Sequence, residues 1–324
     1  MTNFQVYKKT LSFSFLSFFV GLIELLLVAG LSIGGYFILD NSTDRALIGL
    51  VVGFLISIIL VVLIHIFIIN RLKAAQVGMM AKGVVDGELP DHVISEGLAE
   101  VKGRFARLTA FFIVTGAIKG VFRQLGRAIN KVGTALGGDV GNGITSAIDA
   151  AIQVLIGYLC DCCLGWVMYN KKKGVTVAAC EGAVIFFKHG KTLIRNIGRI
   201  FGMGLLSFAI IGGAFFGISY LIFNQLFPQV FIDLANEIKE VGVRNASEVP
   251  EFLTNPTLLT MFACGIIGVV LWSMLHSLLI RPFILVGVLR NFMNSGLKEQ
   301  ITDADFDELE KKSPKFAKLR TRTV

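Results

Sequence analysis

Residues Lys171 to Phe223 read KKKGVTVAACEGAVIFFKHGKTLIRNIGRI and then, without a break, FGMGLLSFAIIGGAFFGISYLIF. The first part carries Lys171, Lys172, Lys173, Lys188, Lys191, Arg195 and Arg199 against one acid, Glu181. The second part is apolar and long enough to cross a bilayer. Lys and Arg gather on the cytoplasmic side of a span, because their translocation is disfavoured. This stretch therefore sets an orientation, and the other segments are phased against it.

Composition agrees with a membrane protein. Of 324 residues, 54% are hydrophobic and 17% charged, and the mean hydropathy is +0.71. A soluble domain of this size cannot hide that much apolar surface. The first apolar run, Leu11 to Leu39, is too long for the core of a signal peptide and lacks a small-residue cleavage pattern, so it is expected to stay as a span. The net charge is +8. The excess cations sit at the ends of apolar runs, which points to anionic headgroups and the lipid bilayer rather than nucleic acid.

Going outward, four spans emerge in two hairpins: Leu11 to Leu39 with Ala46 to Asn70, and Gly198 to Asn224 with Thr257 to Arg281. The short polar turn Asp40 to Arg45 closes the first hairpin. Gln225 to Pro256 forms the external loop of the second, with acids in excess. Both termini are expected in the cytoplasm, in a plasma or cytoplasmic membrane. The fold class is all-α and polytopic, with basic amphipathic interfacial helices. The organisation reads as an N-terminal hairpin over 1–73 and a cytoplasmic connection over 74–143. A membrane-inserted segment and basic loop come next over 144–190, then a C-terminal hairpin over 191–294 and a charged tail over 295–324.

The middle is where the phasing strains. Phe105, Leu108, Phe112, Thr115, Ile118, Phe122, Leu125 and Ile129 recur at helical spacing among basic residues. Such a helix lies in the headgroup plane, with Lys119, Arg123, Arg127 and Lys131 as its anionic-lipid contacts, or packs on the ends of the spans. Ile144 to Tyr169 is apolar but flanked by basic segments on both sides. It is expected either to re-enter the membrane with a bend near Gly157 or to form one of two further spans. Asp149 and Asp161 would be membrane-embedded acids able to pair with nearby cations.

An internal repeat links the hairpins. Lys9-Thr10-Leu11 precedes the first span and Lys191-Thr192-Leu193 the third, and the same offset pairs Phe19 with Phe201, Gly30 with Gly212 and Gly35 with Gly217. Both return spans end in a histidine followed shortly by arginine, His65 to Arg71 and His276 to Arg281. Parallel repeats of this sort occur in transporters.

Glu24 is the acid of the first span. Intramembrane ionisable groups are costly and favour a functional reading. Together Glu24, His65 and His276 suggest a proton or substrate pathway; alternatively each merely bonds a neighbouring helix. Glycine pairs at four-residue spacing, Gly30/Gly34, Gly49/Gly53, Gly198/Gly202 and Gly213/Gly217, signal close helix packing. Cys160, Cys162, Cys163, Cys180 and Cys264 lack zinc spacing and read as packing residues, so no metal and no cofactor is expected. Asn245-Ala246-Ser247 fits a glycosylation sequon. Thr302 with Asp305 reads as a helix N-cap rather than the start of a calcium loop. No hydrolase, metalloprotease or nucleotide-binding motif is present, so an enzyme is not expected. The last pair of spans, behind Arg195 to Arg199, is loosely similar in layout to the end of choline transporter-like proteins, over the C-terminal third and without a diagnostic motif. The leading expectation is a small transporter or permease for a solute or lipid-related molecule, with a homo-oligomer admitted. A non-catalytic membrane scaffold or shaping protein is the alternative.

Overall fold

A computed structural model describes residues 1–38, 43–103, 105–134, 142–194, 197–244 and 249–321. All regular structure among them is helical. Among the described residues four helices are long and apolar enough to cross a membrane: Asn3–Ile38, Ile48–Val85, Gly202–Leu226 and Pro256–Lys298. The chain divides into two compact units, one formed by Met1–Gly198 with Arg281–Val324, the other by Arg199–Ile280.

In the first unit α1 (Asn3–Ile38) pairs along its length with α2 (Thr43–Ile64). Glycine decides how close they come. A Cβ on Gly35 would lie 2.2 Å from the carbonyl oxygen of Gly49, and one on Gly53 would lie 2.1 Å from that of Leu31. These neighbours are backbone atoms that cannot swing aside, so only glycine permits the approach. The expected Gly49/Gly53 pair is used here, but its partner is Gly35. Gly30 and Gly34 face open space, as do Gly213 and Gly217.

The return helix does not stop at the end of its apolar run. α2 passes through a π-helical turn, His65–Ile69, straight into α3 (Asn70–Val85). α3 is no polar connection. Ala74, Ala75, Val77, Met79, Met80 and Ala81 are all buried, packed by the base of α1, by α4 (Val93–Lys102), by α6 (Asn142–Tyr169) and by α13 (Arg281–Lys298). Gln76 ties α3 to α1, donating from its amide to Ser14 Oγ at 2.7 Å. Gly87, at φ 78, turns the chain after α3 in a conformation that other residues rarely adopt.

α6 overturns the expected bend. It is one unbroken helix through Gly157, so no re-entrant hairpin folds there. Its apolar stretch Leu155 to Met168 is buried on nearly all sides by α3, α5 (Phe105–Thr134), α7 (Val175–Ile194) and α13. Its hydrophobicity therefore serves a helix-bundle core. α7 likewise buries Ala178, Ala179, Cys180, Ala183, Val184 and Ile185. Pro282 to Met293 forms the body of α13. Gly165 receives Leu289, and Gly296 receives Trp166 and Ile185, contacts that a Cβ would obstruct at 2.6–2.9 Å.

α5 follows its sequence period in part. Leu108, Ile118 and Phe122 are buried as expected, and Phe111 and Val121 join them. The face covers α6, α7 and the C-terminal helix α15 (Pro314–Arg320), so packing on neighbouring helices is the outcome. α14 (Asp303–Lys312) begins at the capping box of Thr302 and Asp305, as its sequence suggests. α15 begins at Ser313, whose hydroxyl accepts from Phe316 N. Phe316 and Leu319 are then driven into the core, each adding about 1.5–3 kcal/mol by burial.

The second unit is a hairpin of its own. α8 (Ile197–Ser207), a π-helical turn Phe208–Gly212 and α9 (Gly213–Leu226) make one helix. It packs on α12 (Pro256–Leu275), where Gly268 meets the carbonyl of Gly212. Between them the expected loop is helical: α10 (Pro228–Arg244) and α11 (Glu251–Thr254). Phe231 and Ala235 of α10 bury against Leu259, with Phe223, Ile238, Leu253 and Ala263 around them. This is a small apolar cap over the ends of α9 and α12. The sequon residues Asn245 to Ser247 lie outside the described residues.

α12 continues through a third π-helical turn, His276–Ile280, into α13. The two return helices thus share one plan: apolar helix, π-turn opening at histidine, then a helix buried in the first unit. Each π-turn inserts a residue and rotates the next helical segment by about 100° about the helix axis.

Candidate functional site

The charged centre of the first unit is Asp161 on α6. Its carboxylate is 3% exposed and both oxygens carry a cation. Lys73 Nζ of α3 lies 2.5 Å from Oδ1, and Arg281 NH2 of α13 lies 2.9 Å from Oδ2. Lys73 follows the first return helix's π-turn by a single helical turn, and Arg281 follows the second's directly. One carboxylate therefore joins the roots of both return helices. Among the described residues the partners of Asp161 are these two cations.

Glu181 is a second buried carboxylate. It accepts from the Trp166 indole at 3.0 Å and from Lys173 Nζ at 2.5 Å, holding the turn between α6 and α7. A third ionic knot ties α7 to the tail. Lys188 contacts Glu299 at 3.2 Å and Asp305 at 2.7 Å, and His189 Nε2 lies 3.0 Å from Glu299. The hydrogen bond to Asp305 raises the Lys188 ammonium above its ordinary range. Lys188 in turn holds the Asp305 and Glu299 carboxyls below theirs.

Of the three residues of the expected pathway, Glu24 and His65 belong to the first unit and His276 to the second. Glu24 is half-buried on α1, and its Oε1 is sealed from solvent with no hydrogen-bond partner among the described residues. His65 is exposed on the outer face at the opening of its π-turn, and no hydrogen bond or ion pair joins it to Glu24. His276 belongs to the second unit, where its ring lies 5.2 Å from that of Trp272. Trp272 also donates from its indole to Ser207 Oγ at 3.1 Å.

On α5, Lys119 and Arg123 are exposed, and Arg123 donates to Gln153 Oε1 from Nε and NH2 at 3.2 and 3.0 Å. The side chains of Arg127, Lys131 and Asp149 lie outside the described residues. All five cysteines are free and buried, in keeping with a packing role. Burial pushes the Cys180 thiol up to about 12, which leaves it unreactive. Among the described residues no three His, Cys, Asp or Glu side chains group as a metal site.

The fold so described is that of an all-α protein with four helices fit to cross a membrane. The chain matches no protein-family model, no curated protein and no solved structure.

Proposed function

We propose that the chain is a multi-pass membrane protein of the transporter or permease type, not an enzyme. In this reading it moves a small solute or lipid-related molecule, with Glu24 as its titrating group. The observation that carries the reading is the sealed, unpartnered Oε1 of Glu24. It sits in a span whose most apolar window is 0% buried within the protein. A lone carboxylate within the hydrocarbon layer is strongly unfavourable, so such a group calls for a polar or cationic partner in its working cycle. The two return helices of like design add the repeat architecture that transporters use.

The test is proton flux into liposomes containing the purified protein, read by a trapped pH-sensitive dye while solutes are screened. Glu24→Gln keeps shape and hydrogen bonding but removes the titratable proton. It is expected to leave folding intact and abolish pH-dependent flux. Flux that keeps its pH dependence in Glu24→Gln removes Glu24 from this role.

The scaffold reading draws on a different observation: two candidate spans run on as rigid helices into the bundle of the first unit. It expects Glu24→Leu to be neutral or stabilising and vesicles to change shape on protein addition.

A further inference from the structure

We propose that Lys73 and Arg281 form a binding site for the phosphate of an anionic phospholipid, preorganised from behind by Asp161. Three observations carry this. The first is convergence. Both cations lie within 2.9 Å of one carboxylate, so two positive groups from helices far apart in sequence are held side by side. The second is exposure. Asp161 is 3% exposed, while the side chains of Lys73 and Arg281 are 36% and 41% exposed. The carboxylate is thus the buried anchor and the cations are partly open. Lys73 keeps two further N–H donors and Arg281 the rest of its guanidinium fork. One carboxylate against two cations leaves an excess of one positive charge at this point.

The third observation is depth. The apolar helical run leading to Arg71 and Lys73 is Ile48 to Ile69, and that leading to Arg281 is Pro256 to Ile280. At 1.5 Å per residue these runs measure roughly 33–38 Å, close to the thickness of a hydrocarbon core. Arg281 follows directly where that length ends, and Lys73 comes about one helical turn beyond it, after Arg71, which is headgroup depth. A guanidinium and an ammonium set side by side suit a phosphate diester, the guanidinium bidentate and the ammonium as a point charge. Asp161 keeps the two from repelling each other apart when the lipid is absent. A pair with only a structural role needs one cation, buried with its partner; here there are two, both partly open. Its residues come from α3, α6 and α13 rather than from α5, and the proposal does not rest on the transport reading.

The experiment uses the full chain purified in a neutral detergent. Thermal unfolding is followed with added phosphatidylglycerol, with phosphatidylcholine, and with inorganic phosphate; native mass spectrometry counts retained lipids. Phosphatidylglycerol is expected to raise the apparent Tm by at least about 2 °C, with one tightly retained anionic lipid lost in the Lys73→Gln/Arg281→Gln double variant. Lys311→Gln/Lys318→Gln, on the exposed face of the tail, is expected to keep both. An equal shift with phosphatidylcholine overturns the charge argument, and an equal shift with inorganic phosphate overturns the lipid as source. If the double variant does not fold, Lys73→Gln alone leaves Arg281 on Asp161 and serves instead. Its affinity for phosphatidylglycerol is expected to fall at least about tenfold, and an unchanged affinity sinks the proposal.

Discussion

Asp161 shows how one residue can fix two helices. Its carboxylate is buried at the meeting of α3, α6 and α13, and each oxygen has its own cation. Removing one cation leaves the carboxylate still paired. Removing both strands a buried charge, whose cost is about 3–5 kcal/mol when nothing compensates. Here the cations are more than a third exposed, so solvent screens them and each is individually worth less. The expected outcome is a non-additive cycle. Lys73→Gln and Arg281→Gln each destabilise by about 1 kcal/mol, and the double variant loses clearly more than the sum. Denaturant unfolding of the four proteins in detergent measures this. Strict additivity would mean the two cations do not share Asp161.

At the scale of the element, the join between α7 and the tail is electrostatic and therefore depends on pH. The Asp305 and Glu299 carboxyls are held low chiefly by Lys188, so they are more acidic folded than unfolded. Their contribution is fully present above the ordinary carboxylate range of about 4 and fades as the pH falls through the folded values. Lys188 is held high chiefly by Asp305, so its contribution is fully present below about 10.4 and fades as the pH rises through its folded value. Docking of α14 is thus expected to be flat between those limits and to loosen in acid. Hydrogen exchange over residues 303–320 at stepped pH checks this. Lys188→Gln is expected to loosen the segment at neutral pH and flatten its acid response. A segment that stays equally protected in acid would show that Phe316 and Leu319 alone hold it.

At the scale of the whole molecule, both termini belong to the first unit. The N-terminal amine donates to Gly87 O, Arg290 donates to Met1 O, and α15 is packed on α5 and α7. Reporters fused near residue 5 and residue 320 are therefore expected on the same side of the membrane. By the positive-inside bias of the lysines at 171–173, that side is expected to be the cytoplasm. A reporter at residue 240, on α10 between the two helices of the second unit, is expected on the opposite side. Activity of the residue 240 reporter on the shared side would overturn the assignment.

The sequence by itself determined the helical class and the apolar helices fit to cross a membrane. Each of those helices holds an apolar run of bilayer length, broken in the first by Glu24, a property written in consecutive residues. It also marked Glu24 as isolated, the N-cap at Thr302, and the matched histidines that open two π-turns. What only the tertiary structure decided is where apolar segments find their burial. Leu155 to Met168, Ala178 to Phe186 and Ile284 to Met293 are as apolar as parts of the spans, yet other helices cover them. Lipid and a protein core accept the same side chains, so composition cannot tell one from the other. The choice of Lys73 and Arg281 as partners of Asp161 was likewise invisible, because each residue of that trio comes from a different helix and only packing brings them together.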